Sequence, residues 1–129
     1  MKKVYLIDDD DIFVFLTKKT MIKVAPDIDV EVFSDGSQAI SHLKEIRDNV
    51  AELPDLIFLD LNMPVMDGWG FLAEYEDICN TLAKKNRLYI VSSSISPHEM
   101  ERAGNISSVS EFIIKPLVKE KFLEILDNL

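Results

Sequence analysis

The sequence predicts an α/β fold, in which a parallel sheet of five strands lies between two layers of helices. Short apolar runs alternate with segments of helical spacing, strand first and helix second, five times over. Leu56–Leu59 contains no polar residue, which is typical of a strand buried on both faces. A chain of 129 residues can bury about two thirds of its unfolded surface in one such domain. We therefore predict a single doubly wound domain over residues 1–129, with no output domain.

The first strand and the first helix follow each other directly. Lys3–Ile7 is an apolar run that ends at a row of four acidic residues. Asp11 is in position to cap a helix that extends to Val24, where a proline follows shortly after. Ile12 and Phe15 fall outside the best apolar face of this helix, so we expect them to form an exposed patch for a partner. The predicted inner face consists of residues at helical spacing: Phe13, Leu16, Thr20, Met21 and Val24.

The middle of the chain predicts a second strand and helix, followed by the third strand. Val30–Phe33 is a short apolar run, and an Asp-Gly turn at Asp35 leads into a helix. Four residues of that helix recur at helical spacing: Ala39, Ile40, Leu43 and Ile46. The polar segment Arg47–Leu53 connects this helix to the third strand, Leu56–Leu59.

The last half of the chain predicts two more strands and three more helices. After the loop Leu61–Gly68, which contains a proline, apolar residues recur at helical spacing as far as Lys84. Pro97 would lie in the first turn of the helix predicted after the fourth strand, a position that tolerates proline. The predicted elements are a helix Trp69–Lys84, a strand Leu88–Val91, a helix Pro97–Ala103, a strand Phe112–Ile114 and a helix Val118–Leu129.

Charge and cysteine content restrict the class of protein. The formal net charge is −9, which argues against sequence-independent binding to nucleic acids, because such binding depends on clustered Lys and Arg. No apolar stretch approaches the ~20 residues of a membrane span, and no signal-peptide pattern opens the chain. The one cysteine, Cys79, cannot form an internal disulfide, which suits a reducing compartment. We expect a cytoplasmic protein with neither nucleic acid nor membrane as a partner.

Reactive side chains follow four of the five predicted strands. Asp8 and Asp9 follow the first strand, Asp60 the third, Ser92 the fourth and Lys115 the fifth. The carboxyl ends of parallel strands meet at one edge of a sheet, and open α/β sheets bind their ligands there. Aspartate is a known nucleophile toward phosphorus. The sequence therefore predicts a phosphate-chemistry site with one acceptor aspartate.

The three aspartates at this edge predict a divalent metal ion. Carboxylates that are brought together repel each other, and a hard cation relieves that repulsion. Mg²⁺ prefers oxygen ligands, whereas zinc prefers histidine and cysteine. The chain has two histidines and one cysteine, none of them at ligand spacing. A backbone carbonyl just after Asp60 would complete a magnesium site formed by Asp8, Asp9 and Asp60.

Four motifs occur in order along the chain: LIDDD at Leu6–Asp10, DLNMPVMDG at Asp60–Gly68, Ser92-Ser93 and Lys115-Pro116. Together they resemble the receiver domains of two-component response regulators, and the resemblance covers essentially the whole chain. It implies a flavodoxin-like fold with strand order 2-1-3-4-5. It also implies a stand-alone receiver that takes a phosphoryl group from a histidine kinase or a phosphotransfer histidine. Such a protein is a monomer or a weak dimer, and it is not an enzyme, although it promotes its own phosphorylation and slow autodephosphorylation.

The resemblance also assigns roles to individual residues. Asp60 would be the phosphoacceptor, and Asp8, Asp9, Asp60 and the Asn62 backbone carbonyl would bind Mg²⁺, with Mn²⁺ as a substitute. Ser92 would be the switch hydroxyl, and Phe112 would change rotamer with it. Lys115 would contact the phosphoryl oxygens, and the bond to Pro116 would be cis.

Several functions remain open on the sequence alone. A phosphorylated receiver can bind a target protein or pass its phosphoryl group to a histidine phosphotransfer protein. A pseudo-receiver would dock without phosphorylation, but all five reactive residues are present. A small phosphatase with an aspartyl nucleophile needs an acid two residues after that nucleophile, and this chain has Asn62 there.

Overall fold

The computed structural model describes residues 2–129, which form one five-stranded parallel sheet with five helices. The strand order is β2-β1-β3-β4-β5, so the predicted architecture is confirmed. No helix in this described part of the chain is long and apolar enough to span a membrane. The strands are β1 (Lys3–Ile7), β2 (Asp29–Phe33), β3 (Leu56–Leu59), β4 (Arg87–Ser92) and β5 (Val109–Ile114). The helices are α1 (Asp11–Val24), α2 (Gly36–Glu45), α3 (Gly68–Ile78), α4 (Pro97–Gly104) and α5 (Lys119–Asp127).

Two apolar layers lie on opposite faces of the sheet, because successive side chains of a strand point to opposite sides. Tyr5 and Ile7 of β1 belong to the layer under α2 and α3, whereas Val4 and Leu6 belong to the layer under α1 and α5. All four residues of β3 are buried, as expected for the central strand. The sheet is therefore covered by helices on both faces, in three layers.

The start and the inner face of α1 differ from the prediction. Asp10, not Asp11, is the N-cap, since its Oδ1 accepts hydrogen bonds from the backbone N–H groups of Ile12 (3.1 Å) and Phe13 (3.2 Å). The fully buried residues of α1 are Thr17 and Met21. Leu16 was predicted to face the core, but it is 57% exposed. The core-facing side of the helix is therefore rotated by about one residue relative to the most apolar side.

The ends of two other elements were also predicted wrongly. The helix expected over Trp69–Lys84 ends at Ile78 and continues as a short 3₁₀ helix, Cys79–Thr81. There the Thr81 hydroxyl donates to the Ile78 carbonyl (2.6 Å), which satisfies a carbonyl that another helical turn would have used. Conversely, β5 begins at Val109, three residues before the predicted start. It is an edge strand, and its first half contains exposed polar residues, so the sequence lacks the apolar run of a strand there.

Candidate functional site

The sheet topology brings the predicted reactive residues to the carboxyl edge. Asp8 follows β1, Asp60 follows β3, Ser92 ends β4 and Lys115 follows β5. Three of these residues extend the backbone ladder beyond the strands. The Asp8 N–H donates to Phe33 O (2.9 Å), the Asp60 N–H to Ile7 O (2.9 Å) and the Lys115 N–H to Ser92 O (2.8 Å). Backbone hydrogen bonds therefore fix the positions of the Cα atoms that carry these side chains.

Three carboxylates form a tight acidic cluster at this edge. Oxygen atoms of Asp8, Asp9 and Asp60 all lie within 4.8 Å of one another. Asp8 is 3% exposed and Asp60 is 6% exposed, whereas Asp9 is open to solvent. The acceptor candidate therefore lies at the bottom of the site, with one buried and one exposed carboxylate beside it.

Lys115 provides the positive charge that faces this cluster. Its Nζ lies 3.0 Å from Asp8 Oδ2 and 3.8 Å from Asp60 Oδ1. The same ammonium group lies over the ring of Phe13, 4.2 Å from the ring centroid. The sequence predicted Phe13 as a core residue of α1, and nothing in its spacing indicates that it supports the lysine of the site. This contact is a consequence of the fold.

Burial and the repulsion between neighbouring carboxylates raise the pKa of both inner carboxyl groups. Burial raises the pKa of Asp60 to about 6, and the negative charge of Asp8 raises it further, against the opposing effect of Lys115. Burial also raises the pKa of Asp8, although the Asp10 N–H and Lys115 act in the opposite direction. The single positive charge of Lys115 does not balance the three carboxylates of the cluster.

The site fits a divalent cation that is bound through oxygen atoms. Asp8 Oδ2 is buried, and it accepts no hydrogen bond from any residue between 2 and 129; its one close polar contact is the ion pair with Lys115. A buried carboxylate oxygen with the Lys115 ammonium as its close partner, beside two further carboxylates, belongs to a suitable ligand set for Mg²⁺. Asn62, whose backbone carbonyl was predicted as a further ligand, lies in the exposed loop two residues after Asp60.

Ser92 and Phe112 lie on the two adjacent strands at the far side of the sheet. Ser92 is fully buried, and its Oγ accepts a hydrogen bond from the Ser94 N–H (3.1 Å). Phe112 is half-buried, pairs in register with Ile90 of β4, and packs against the apolar layer under α2 and α3. The Lys115–Pro116 peptide bond is cis.

A glycine that the sequence did not assign to the site fixes the approach of α3. A Cβ atom on Gly68 would lie 2.5 Å from the Asp60 carbonyl oxygen and 2.8 Å from Leu61 Cα. The Gly68 N–H also donates to Leu61 O (2.9 Å). Gly68 therefore allows α3 to begin directly against the backbone of the acceptor residue.

Comparison with known proteins gives matches over almost the whole chain. The chemotaxis protein CheY of Listeria monocytogenes is 32% identical over 128 residues, which cover 95% of this chain and 94% of that protein. A protein-glutamate methylesterase/protein-glutamine glutaminase of Methanospirillum hungatei is 30% identical over 112 residues, and this chain spans only 30% of its length. A crystal structure of a two-component response regulator from Cytophaga hutchinsonii superposes with a TM-score of 0.87 at 26% identity, covering 99% of this chain and 96% of that one.

The match to a family model agrees with the geometry of the site. The model of the response regulator receiver domain matches residues 4–127, which include every strand except the first residue of β1. The matched segment contains the acidic cluster, the buried serine and the lysine that meet at the carboxyl edge. The chain therefore belongs to the response regulator receiver domain family.

Proposed function

We propose that this chain works as a single-domain response regulator, which accepts a phosphoryl group on Asp60 from a phosphohistidine of a kinase or phosphotransfer protein. The observation that carries the proposal is the buried Asp60 carboxylate beside Asp8, Asp9 and Lys115. Receiver domains are phosphoacceptors that bind Mg²⁺, and this chain has the residues for both. A receiver that acts without an output domain is supported by the CheY relative, which this chain covers almost completely.

The transfer is a displacement at phosphorus. An Asp60 carboxylate oxygen forms a bond to phosphorus as the bond between phosphorus and the donor imidazole nitrogen breaks, and the electron pair remains on the imidazole. Asp8, Asp9 and Asp60 would hold Mg²⁺, which would supply positive charge to offset that of the carboxylates and the phosphoryl oxygens. The reaction needs an ionised Asp60, and its pKa of about 6 means that the carboxylate form prevails at neutral pH.

Lys115 and Ser92 would respond to the new charge. Phosphorylation adds negative charge and hydrogen-bond acceptors at Asp60. Lys115 already lies within 4 Å of both inner carboxylates, so a small movement brings it to a phosphoryl oxygen. Ser92 would donate its hydroxyl proton to another oxygen, and Phe112 on the neighbouring strand would change rotamer with it. These changes would alter the surface formed by α4, β5 and α5.

The phosphodonor would dock on the exposed apolar face of α1. Ile12 (74% exposed), Phe15 (60%) and Leu16 (57%) lie on this helix, which begins directly after the acidic cluster. Lys19 adds positive charge, with its ammonium group 5.3 Å from the Phe15 ring centroid. A donor must bring its phosphorus to Asp60, so an apolar surface next to that residue is suitably placed to bind it.

The first test concerns the metal ligands. Asp9→Asn removes the charge of an exposed carboxylate in the cluster without changing the size of the side chain. We expect Mg²⁺ affinity to fall at least about tenfold. Asp11→Asn, an exposed charge change in the first turn of α1, is the matched control and should bind Mg²⁺ as the wild type does. Isothermal titration calorimetry measures both affinities. Equal affinities of the Asp9→Asn variant and the wild type would contradict the ligand assignment.

The second test separates a receiver from a phosphatase. With acetyl phosphate as donor, a receiver holds at most one phosphoryl group per chain and releases phosphate slowly. Sustained release of phosphate from a small phosphoester would contradict the proposal. Transfer of label from the protein to a histidine phosphotransfer domain would indicate a relay, whereas tighter binding of a target after phosphorylation would indicate a direct output.

A further inference from the structure

A chain of side-chain hydrogen bonds connects the loop after β4 to α4. Ser94, in that loop, donates its N–H to Ser92 Oγ (3.1 Å), and its own hydroxyl donates to Glu99 Oε1. Ser94 Oγ also accepts from the Ser96 N–H (3.2 Å), and Ser96 caps α4. The position of the Ser92 hydroxyl is therefore linked to a carboxylate in the first turn of α4.

The same carboxylate connects α4 to α3. The second oxygen of Glu99 accepts a hydrogen bond from the indole N–H of Trp69 (3.4 Å), at the start of α3. Arg102, one turn further along α4, stacks on the Trp69 ring with its Cζ 4.0 Å from the ring centroid. Glu99 thus uses one oxygen for the loop and the other for α3, and both partners are half-buried.

This arrangement favours one orientation of the Ser92 hydroxyl. In the described part of the chain, Ser92 Oγ is hydrogen-bonded to the Ser94 N–H and not to Asp60. If Ser92 turns toward a phosphoryl group on Asp60, its contact with Ser94 must change. Ser94 binds Ser92 through its N–H and Glu99 through its hydroxyl, so a movement of Ser94 with Ser92 would also disturb the contact with Glu99. A contact made in one conformation alone shifts the equilibrium toward that conformation.

We propose that Glu99 and Trp69 are positioning residues that hold Ser92 in its resting orientation and so oppose the activated conformation. The proposal rests on the proposed function of Asp60 as phosphoacceptor. Loss of either contact would make activation easier, because the resting state would lose a hydrogen bond that the activated state does not make. Neither residue touches the acidic cluster, so binding of the metal alone should not change.

The test uses beryllofluoride with Mg²⁺ as a stable substitute for the phosphoryl group, and calorimetry to measure its affinity. Glu99→Gln keeps the shape of the side chain but replaces one acceptor oxygen by an NH₂ group, which cannot accept a hydrogen bond. Trp69→Phe removes the indole N–H. We expect each variant to bind beryllofluoride about threefold to tenfold more tightly than the wild type, the equivalent of one ordinary hydrogen bond. Affinity for Mg²⁺ alone should be unchanged.

A matched control separates the contact from the charge. Glu101→Gln removes a negative charge from the exposed side of the same helix, outside the hydrogen-bond chain, and should leave the beryllofluoride affinity at the wild-type value. An equal gain in the Glu101→Gln variant, or no gain in Glu99→Gln or Trp69→Phe, would overturn the inference. A lowered Tm without tighter binding would mean a purely structural contact, which also overturns it. A wild-type protein that binds no beryllofluoride would instead overturn the proposed function.

Discussion

Asp60 is a buried carboxyl group that lies within 4.8 Å of a second buried carboxyl group, Asp8. Burial alone disfavours the ionised form of each group, and the two negative charges add to that cost. Lys115 offsets part of it by approaching both. Without a metal ion, the acidic cluster therefore lowers the free energy of unfolding, and a bound cation would raise it again.

The pKa of Asp60 makes the stability of the metal-free protein depend on pH. Because the folded-state pKa, about 6, lies above the ordinary value of 3.8, the folded state binds more protons than the unfolded state between those values. Asp60 therefore lowers the free energy of unfolding as pH rises from about 4 to 6. Asp60→Asn should remove this contribution and raise the unfolding free energy at pH 7 by about 1–3 kcal/mol.

Urea unfolding in the presence of a chelator measures this effect at several pH values. Asp11→Asn, which changes an exposed carboxylate outside the cluster, is the control and should change stability by less than about 0.5 kcal/mol. An Asp60→Asn variant no more stable than the wild type at pH 7 would show that the acidic cluster imposes no such cost.

At the scale of the elements, the start of α3 is tied to the backbone of the acceptor residue. Gly68→Ala would place a methyl group 2.5 Å from the Asp60 carbonyl oxygen, and a backbone neighbour cannot move away as a flexible side chain can. We expect a loss of about 1–3 kcal/mol in unfolding free energy, together with weaker Mg²⁺ binding.

Gly104, at the end of α4, provides the matched control for this substitution. A Cβ atom there would meet no heavy atom within 4 Å, and alanine is the better helix former. Gly104→Ala should leave both stability and Mg²⁺ affinity at or above the wild-type values. If Gly68→Ala behaved like Gly104→Ala in urea unfolding, α3 would not be packed against Asp60 as described.

The elements also show what sequence patterns can and cannot predict. Leu16 was placed in the core because it is apolar, but Thr17 is buried there instead, since the way α1 packs against α5 and the sheet decides which side faces inward. The first half of β5 escaped prediction because an edge strand tolerates exposed polar residues such as Ser110 and Glu111. The inner strands β1, β3 and β4 were placed to within one residue, since buried strands have continuous apolar runs.

At the scale of the whole molecule, parallel topology explains why the meeting of these side chains could be predicted. Each strand end places its side chain at the same edge, so Asp8, Asp60 and Lys115 meet although they are far apart in sequence. The contacts that depend on helix packing could not be predicted. The ring of Phe13 beneath Lys115 and the link from Trp69 to Glu99 require the relative positions of elements that no local pattern specifies.

Intact mass spectrometry after incubation with acetyl phosphate and Mg²⁺ tests most directly whether Asp60 accepts the phosphoryl group. Asp67→Asn is the matched control, because Asp67 belongs to the same motif but caps α3, and asparagine is an equally good cap. We predict that the wild type and Asp67→Asn gain the mass of one phosphoryl group, and that Asp60→Asn, although folded, gains none. Labelling of Asp60→Asn to the wild-type level would contradict the account.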